Sequence, residues 1–314
     1  MSDRSDQTDR RSFLRNTVGL LAATPVAGSV LQTETKENAV SDDPLFMISL
    51  AQWSLHRTIR SGELDAMDFA ACSTGTYGIK GLEYVNSFYK DRRDDDALPA
   101  ELKQRSDDVD ATNLVIMIDG EGRLGAPEAA ERADAIDRHH RWMRIAKKIG
   151  CHSIRVNANS EGTPDEQIAL CAKGMTGLLE HADELELNVL IENHGGHSSN
   201  GAWLSTLMRT VDHPRFGTLP DFGNFVLDWD TMEEYDRYVG VAELMPFAKA
   251  VSAKSNEFDA AGNDTGTDYE RMLKIVLDAG YRGWIGIEYE GQGLSEHEGI
   301  ERTRALLTRF GGRA

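Results

Sequence analysis

The sequence predicts a single-domain (β/α)8 barrel, a TIM barrel, behind an N-terminal export signal. Three observations carry this expectation. Short apolar runs alternate with longer amphipathic segments from Phe46 onward, the runs number eight, and no GxGxxG follows the first of them. Strands that alternate with helices are parallel and joined by right-handed crossovers. An open dinucleotide-binding sheet needs the glycine fingerprint that is missing here. The 314 residues suit one barrel with a short extension.

The elements follow in chain order. Asp9-Arg10-Arg11-Ser12-Phe13-Leu14-Arg15 precedes an apolar stretch from Val18 to Val30, too short to cross a bilayer comfortably. A charged region, an apolar region and small residues near Ala27 and Ser29 predict a signal peptide over residues 1–30. Its paired arginines resemble the twin-arginine export signal, which implies a periplasmic destination. Residues 31–43 form a polar linker, and the barrel occupies 44–314. Strands are predicted at Phe46–Leu55, Gly81–Val85, Leu114–Ile118, Ser153–Asn157, Asn188–Glu192, Phe216–Asp221, Ala250–Lys254 and Trp284–Glu288. Helices are clearest at Pro127–Ile149, where Ala130, Ala133, Ile136, His140, Met143 and Lys147 recur at helical spacing, and at Asp165–Glu186 and Asp268–Ala279. Thr163-Pro164-Asp165-Glu166 is a start signal, and Gly280 a stop.

Composition limits the partners. The net charge of −18, from 34 basic and 52 acidic side chains, opposes nucleic acid and anionic membranes. No membrane association is expected once the signal is removed, and a homo-oligomer is compatible with the sequence. Cys72, Cys151 and Cys171 form no CxxC pair and read as buried small hydrophobes.

The informative feature is where the acids sit. Glu192, Asp221 and Glu288 each close an apolar strand. In a barrel these positions share the C-terminal rim, where such folds place their chemistry. Three carboxylates meeting there repel one another unless a divalent cation lies between them. Oxygen donors suit Mn2+ or Mg2+ best, with Zn2+ as an alternative. The same rim collects His56 after strand one, Glu83 and Asn86 at strand two, and Arg155 and Asn157 at strand four. His194, Asn224, Ser252 and Lys254 follow on strands five to seven. Trp53 offers an apolar wall to a sugar face.

Ile191-Glu192-Asn193-His194, Pro220-Asp221-Phe222-Gly223-Asn224, Val251-Ser252-Ala253-Lys254 and Ile287-Glu288 resemble the sugar phosphate isomerase/epimerase family of xylose isomerase-like TIM barrels. That resemblance spans about Phe46 to Phe310. It implies a metal held by Glu, Asp, His and Glu from strands five to eight, of which Glu192, Asp221 and Glu288 match three. Ser252 stands where the family has a histidine, and Lys254 is kept. Either three carboxylates hold the metal with water or His194, or Lys254 supplies the positive charge in its place and polarises a sugar carbonyl. The implied chemistry is isomerisation or epimerisation of a small sugar through an enediolate. Glu192 and Glu288 are the expected acid/base pair and Lys254 the third catalytic group. His56, Arg155, Asn157, His194 and Asn224 are expected to bind substrate. Export favours an unphosphorylated sugar or keto-sugar. The competing readings are a lyase on an oxidised glycoside, a non-catalytic sugar-binding protein, and a DNA-repair endonuclease of the same superfamily, which the charge opposes.

Overall fold

A computed structural model describes residues 44–314. The predicted signal peptide and linker lie outside the described residues.

Eight parallel strands form the sheet: β1 (Phe46–Ala51), β2 (Gly81–Val85), β3 (Thr112–Met117), β4 (Ser153–Val156), β5 (Asn188–Glu192), β6 (Phe216–Leu219), β7 (Val251–Ser255) and β8 (Trp284–Tyr289). Their spatial order is β6-β5-β4-β3-β2-β1-β8-β7. Two parallel bridges, Thr218 with Ala248 and Asp221 with Ser252, join β6 to β7 and bring the ends of the sheet together. The C-terminal pair Gly312–Arg313 also aligns with β1, opposite Phe46 and Met47. Helices cover the outside, and a small antiparallel hairpin, Val226–Asp228 with Glu233–Glu234, stands in the loop after β6.

The predicted strands match closely, with one instructive exception. The first ends at Ala51, and Gln52–Leu55 turns into a 3-10 helix. The Gln52 amide explains the break: it donates to Tyr89 Oη at 2.7 Å and accepts from Val85 N–H at 3.1 Å. Those bonds need the chain to curl toward β2 instead of running on. The sixth strand likewise stops at Leu219, leaving Asp221 in a bridge beyond it.

The long helix Ala129–Ile149 forms where expected, but its buried stripe is Ala135, His139, Trp142, Ala146 and Ile149, with Met143 and Ile145 beside it. The predicted stripe was turned by one position, because Trp142 carries the largest apolar area and faces the barrel. Helix Pro164–Leu185 begins with a capping box between Thr163 and Glu166, as its sequence signal implied. Cys151 and Cys171 are buried, while Cys72 is only half-buried.

Side-chain alternation decides what faces the barrel axis. Val189 and Ile191 belong to the main core beneath the helices. Leu190, Leu219 and Ala250 instead form a separate cluster inside the barrel. Glu192, Asp221 and Ser252 each lie two residues further along the chain, so they point the same way and stack above that apolar plug.

Candidate active site

Glu192, Asp221 and Glu288 come together. Each offers a carboxylate oxygen, and these oxygens lie within 4.8 Å of one another. All three residues are buried. Among the described residues no histidine joins this cluster, so the reading in which His194 completes it finds no support in the geometry.

The chain itself fixes each acid. Asp221 Oδ1 accepts the backbone N–H groups of Gly223 and Asn224, both at 2.8 Å. Its Oδ2 accepts the Ser252 hydroxyl at 2.6 Å. Ser252, which replaces an expected nitrogen ligand, therefore orients a carboxylate instead. Asn193 closes the turn from behind: its Oδ1 accepts Asp221 N–H, and its amide donates to the carbonyls of Asp221 and Asn224. Asn224 Nδ2 in turn donates to Glu192 Oε1 at 2.9 Å. Lys254 Nζ lies 3.2 Å from Glu288 Oε1 and 2.8 Å from Glu290 Oε2.

A carboxylate oxygen accepts about two bonds. Asp221 has one acceptor direction left on Oδ2. Glu192 Oε2 and Glu288 Oε2 are buried with no hydrogen-bond partner among the described residues. Arg155 Nε sits 2.8 Å from Glu192 Oε2, yet its N–H is not aimed there, and it too lacks a partner. Buried acceptors are seldom left unmade. Three converging oxygens with spare lone pairs are the donor set that Mg2+ or Mn2+ takes. The residues present thus fit a divalent cation.

Electrostatics agree. Burial, with Glu288 adding repulsion against the pull of Arg155, pushes the Glu192 carboxyl up to about 7. Burial pushes Asp221 to about 7, against the attraction of Lys254. Burial would lower Lys254, but Glu288, Asp221 and Glu290 outweigh it and keep the ammonium charged. Burial, with Arg155 and Lys254 adding to it, holds His194 below the usual imidazole value. Beneath the cluster Glu83 is fully buried and is pushed to about 7 by burial, despite the Ser49 hydroxyl at 2.6 Å. Gly286 makes room for it, since a Cβ there would lie 2.5 Å from both Glu83 oxygens.

A cavity of about 410 Å³ opens above, lined by residues that include Trp53, Arg155, His194, Glu288 and Glu290. The other expected substrate residues divide. Arg155 and Asn157 share a face as predicted, but both donate to Asp119 Oδ1, at 2.7 and 2.8 Å. Burial would raise Asp119, and Arg155 and Asn157 outweigh it, holding the acid at about 2. His56 does not end a strand. It opens the short helix His56–Ser61, stacks on Trp53 at 4.9 Å, and faces Trp53 O and Glu296. The 3-10 turn before it rotates its ring behind Trp53. Two participants were missed. Asp119 follows β3 by two residues, and Glu290 follows β8 directly, where the Trp53 indole N–H binds it. Each could have been found by the rule that found the triad, an acid just past an apolar strand.

The xylose isomerase-like TIM barrel profile matches residues 73–310.

The chain belongs to that family.

Similar solved structures include the 3-keto-D-glucoside 4-epimerase of E. coli, 13% identical, covering 78% of this chain and 94% of that one at a TM-score of 0.62. The D-allulose 3-epimerase from Methylomonas sp. is 12% identical, covering 85% and 98% at 0.65. A xylose isomerase-like protein from Mycobacterium smegmatis, in complex with magnesium, is 15% identical, covering 84% and 96% at 0.61. At such identities the likeness establishes the fold. No curated protein sequence matches the chain significantly.

Proposed function

We propose that this protein is a sugar isomerase or epimerase that moves a proton on a carbon next to a carbonyl, aided by a divalent cation. One observation carries the reading: Glu192, Asp221 and Glu288 converge under a sugar-sized cavity, and Glu192 Oε2 and Glu288 Oε2 are buried there without a hydrogen-bond partner among the described residues. A cation held by these three residues supplies stabilisation of the enediolate charge. Glu192 and Glu288 reach the axis from β5 and β8, well placed to take a proton on one face of the sugar and return one on the other. Lys254, clamped between Glu288 and Glu290, presents its ammonium beside the same acids and can polarise a carbonyl oxygen. Asn224 fixes Glu192, while Arg155 and His194 face the cavity and can hold sugar oxygens.

The substrate class is a small sugar or keto-sugar. Neighbours of the same fold that are named as epimerases of 3-keto-D-glucoside and D-allulose lend support. The Arg10-Arg11 segment favours export by the twin-arginine route to the periplasm, where unphosphorylated sugars predominate. A lyase on an oxidised glycoside begins with the same proton abstraction, and product analysis separates the two.

The test is incorporation of solvent deuterium into a panel of keto-sugars with Mn2+ or Mg2+ present. Glu192→Gln and Glu288→Gln should each reduce exchange by about 10²- to 10⁴-fold with unchanged circular dichroism. Full exchange in either variant refutes the assignment. Sugar binding without any carbon-bound exchange identifies a binding protein instead.

A further inference from the structure

Among the described residues, two cations line the cavity mouth without an acidic partner. Arg60 and Lys90 both face the space above Glu288. The other charged groups there are matched: Asp119 by Arg155, and Glu290 by Lys254. Arg60 takes part in no ion pair; its guanidinium rests 4.8 Å from the centre of the Trp53 ring. Lys90 has no ion pair either, and its ammonium lies over Gly120, where a Cβ would come within 2.6 Å of Nζ. Gly120 has φ +71, a left-handed conformation that glycine adopts without strain. Both residues are exposed, so their head groups stay open to whatever enters the cavity.

A third donor stands with them. Ser87 and Lys90 lie three residues apart in the 3-10 helix Asn86–Arg92, so they share one face of it. The Ser87 hydroxyl is buried and has no partner. Arg60, Ser87 and Lys90 can all donate, and the two cations can do nothing else. This wall belongs to the loops after β1 and β2, across the mouth from Asp221 and Asn224 after β6. A neutral sugar would leave its charge uncompensated. An anionic substituent would meet a guanidinium fork, an ammonium and a hydroxyl at once.

We propose that Arg60, Ser87 and Lys90 form a subsite for a carboxylate on the end of the sugar remote from the reacting carbon. The proposal rests on the isomerase or epimerase reading and narrows its substrate class to acidic sugars. Arg60 and Lys90 are specificity-determining residues and touch neither the triad nor its clamps.

The experiment compares fructose, fructuronate and fructose 6-phosphate, and the matching tagatose series, on the full metal-loaded protein. Binding is read by saturation-transfer NMR and proton transfer by deuterium uptake. At low salt the acidic sugars should bind at least about tenfold more tightly than the neutral one, and the advantage should shrink at about 0.5 M salt as screening grows. Preference for fructuronate over fructose 6-phosphate supports the carboxylate subsite, and preference for the phosphate overturns it. Arg60→Gln or Lys90→Gln should abolish most of the advantage while leaving fructose affinity unchanged. Equal binding of neutral and acidic sugars overturns the proposal, as does an advantage that survives both substitutions. Exchange on neutral sugars without any anion preference overturns the subsite alone. A fructuronate preference without exchange upholds the subsite and overturns the proton-transfer reading; no binding by any sugar overturns both.

Discussion

The carboxylate cluster makes the stability of the metal-free protein depend on pH in a direction opposite to that of ordinary salt-bridged acids. Glu192 and Asp221 are each pushed up to about 7, from ordinary values of 4.5 and 3.8. A carboxyl that keeps its proton longer in the folded state contributes stability that is complete below the unfolded value and lost as the pH rises through the folded one. The window therefore runs from about pH 4 to about pH 7. At about 1.4 kcal/mol per pH unit, a rise of about three units in one such acid forfeits roughly 4 kcal/mol across it, and the two acids titrate together, so their losses do not simply add. For a domain of this size that is on the order of 10 °C in melting temperature. A bound cation removes the repulsion and favours the charged forms, so the loss should shrink when Mn2+ is added, and binding should expel protons. The assay is calorimetric melting at pH 5 and pH 8 with EDTA or Mn2+, plus titration at pH 6 in two buffers of different ionisation enthalpy. Taking the difference between the two metal states cancels the self-repulsion of the acidic surface. Identical pH slopes with and without Mn2+, together with no proton release at pH 6, would refute the reasoning.

Ser252→Ala removes the 2.6 Å bond that orients Asp221; affinity for Mn2+ should fall about 10- to 100-fold, and an unchanged calorimetric titration would contradict this. Gly286→Ala forces a methyl group against the Glu83 carboxyl at 2.5 Å; urea unfolding should show a loss of about 1 to 3 kcal/mol. Burial raises the Cys151 thiol beyond its ordinary range and pushes Cys171 up to about 12, so an aromatic disulfide reagent should label no more than Cys72 in the native protein, and all three in denaturant.

The sequence showed the strands because their apolar runs are short and bounded. It showed the triad because Glu192 ends its strand and Glu288 stands one residue before the end of its own, and parity then sends them inward. Lys254 and Ser252 shared a face as expected, since that follows from alternation alone. What it hid depends on contacts between distant segments. The curl of Gln52–Leu55 comes from a bond to Tyr89 thirty-seven residues away, and it carried His56 off the rim. Arg155 and Asn157 were visible as donors, but their common acceptor Asp119 lies on another strand's loop. Ser252 looked like a lost ligand because a serine does not bind a divalent ion well; its value lies in the hydroxyl proton it gives to Asp221.

The turn from Asp221 to Asn224 is braced on every side, by two backbone amides, a serine and the amide of Asn193. Its conformational entropy has been surrendered during folding, not at the moment of capture. An arriving ion has no loop to organise there, so the speed of loading should be governed by how quickly the ion sheds its own water. Slow and fast-exchanging cations would then differ in their association rates far more than temperature or solvent viscosity could make them.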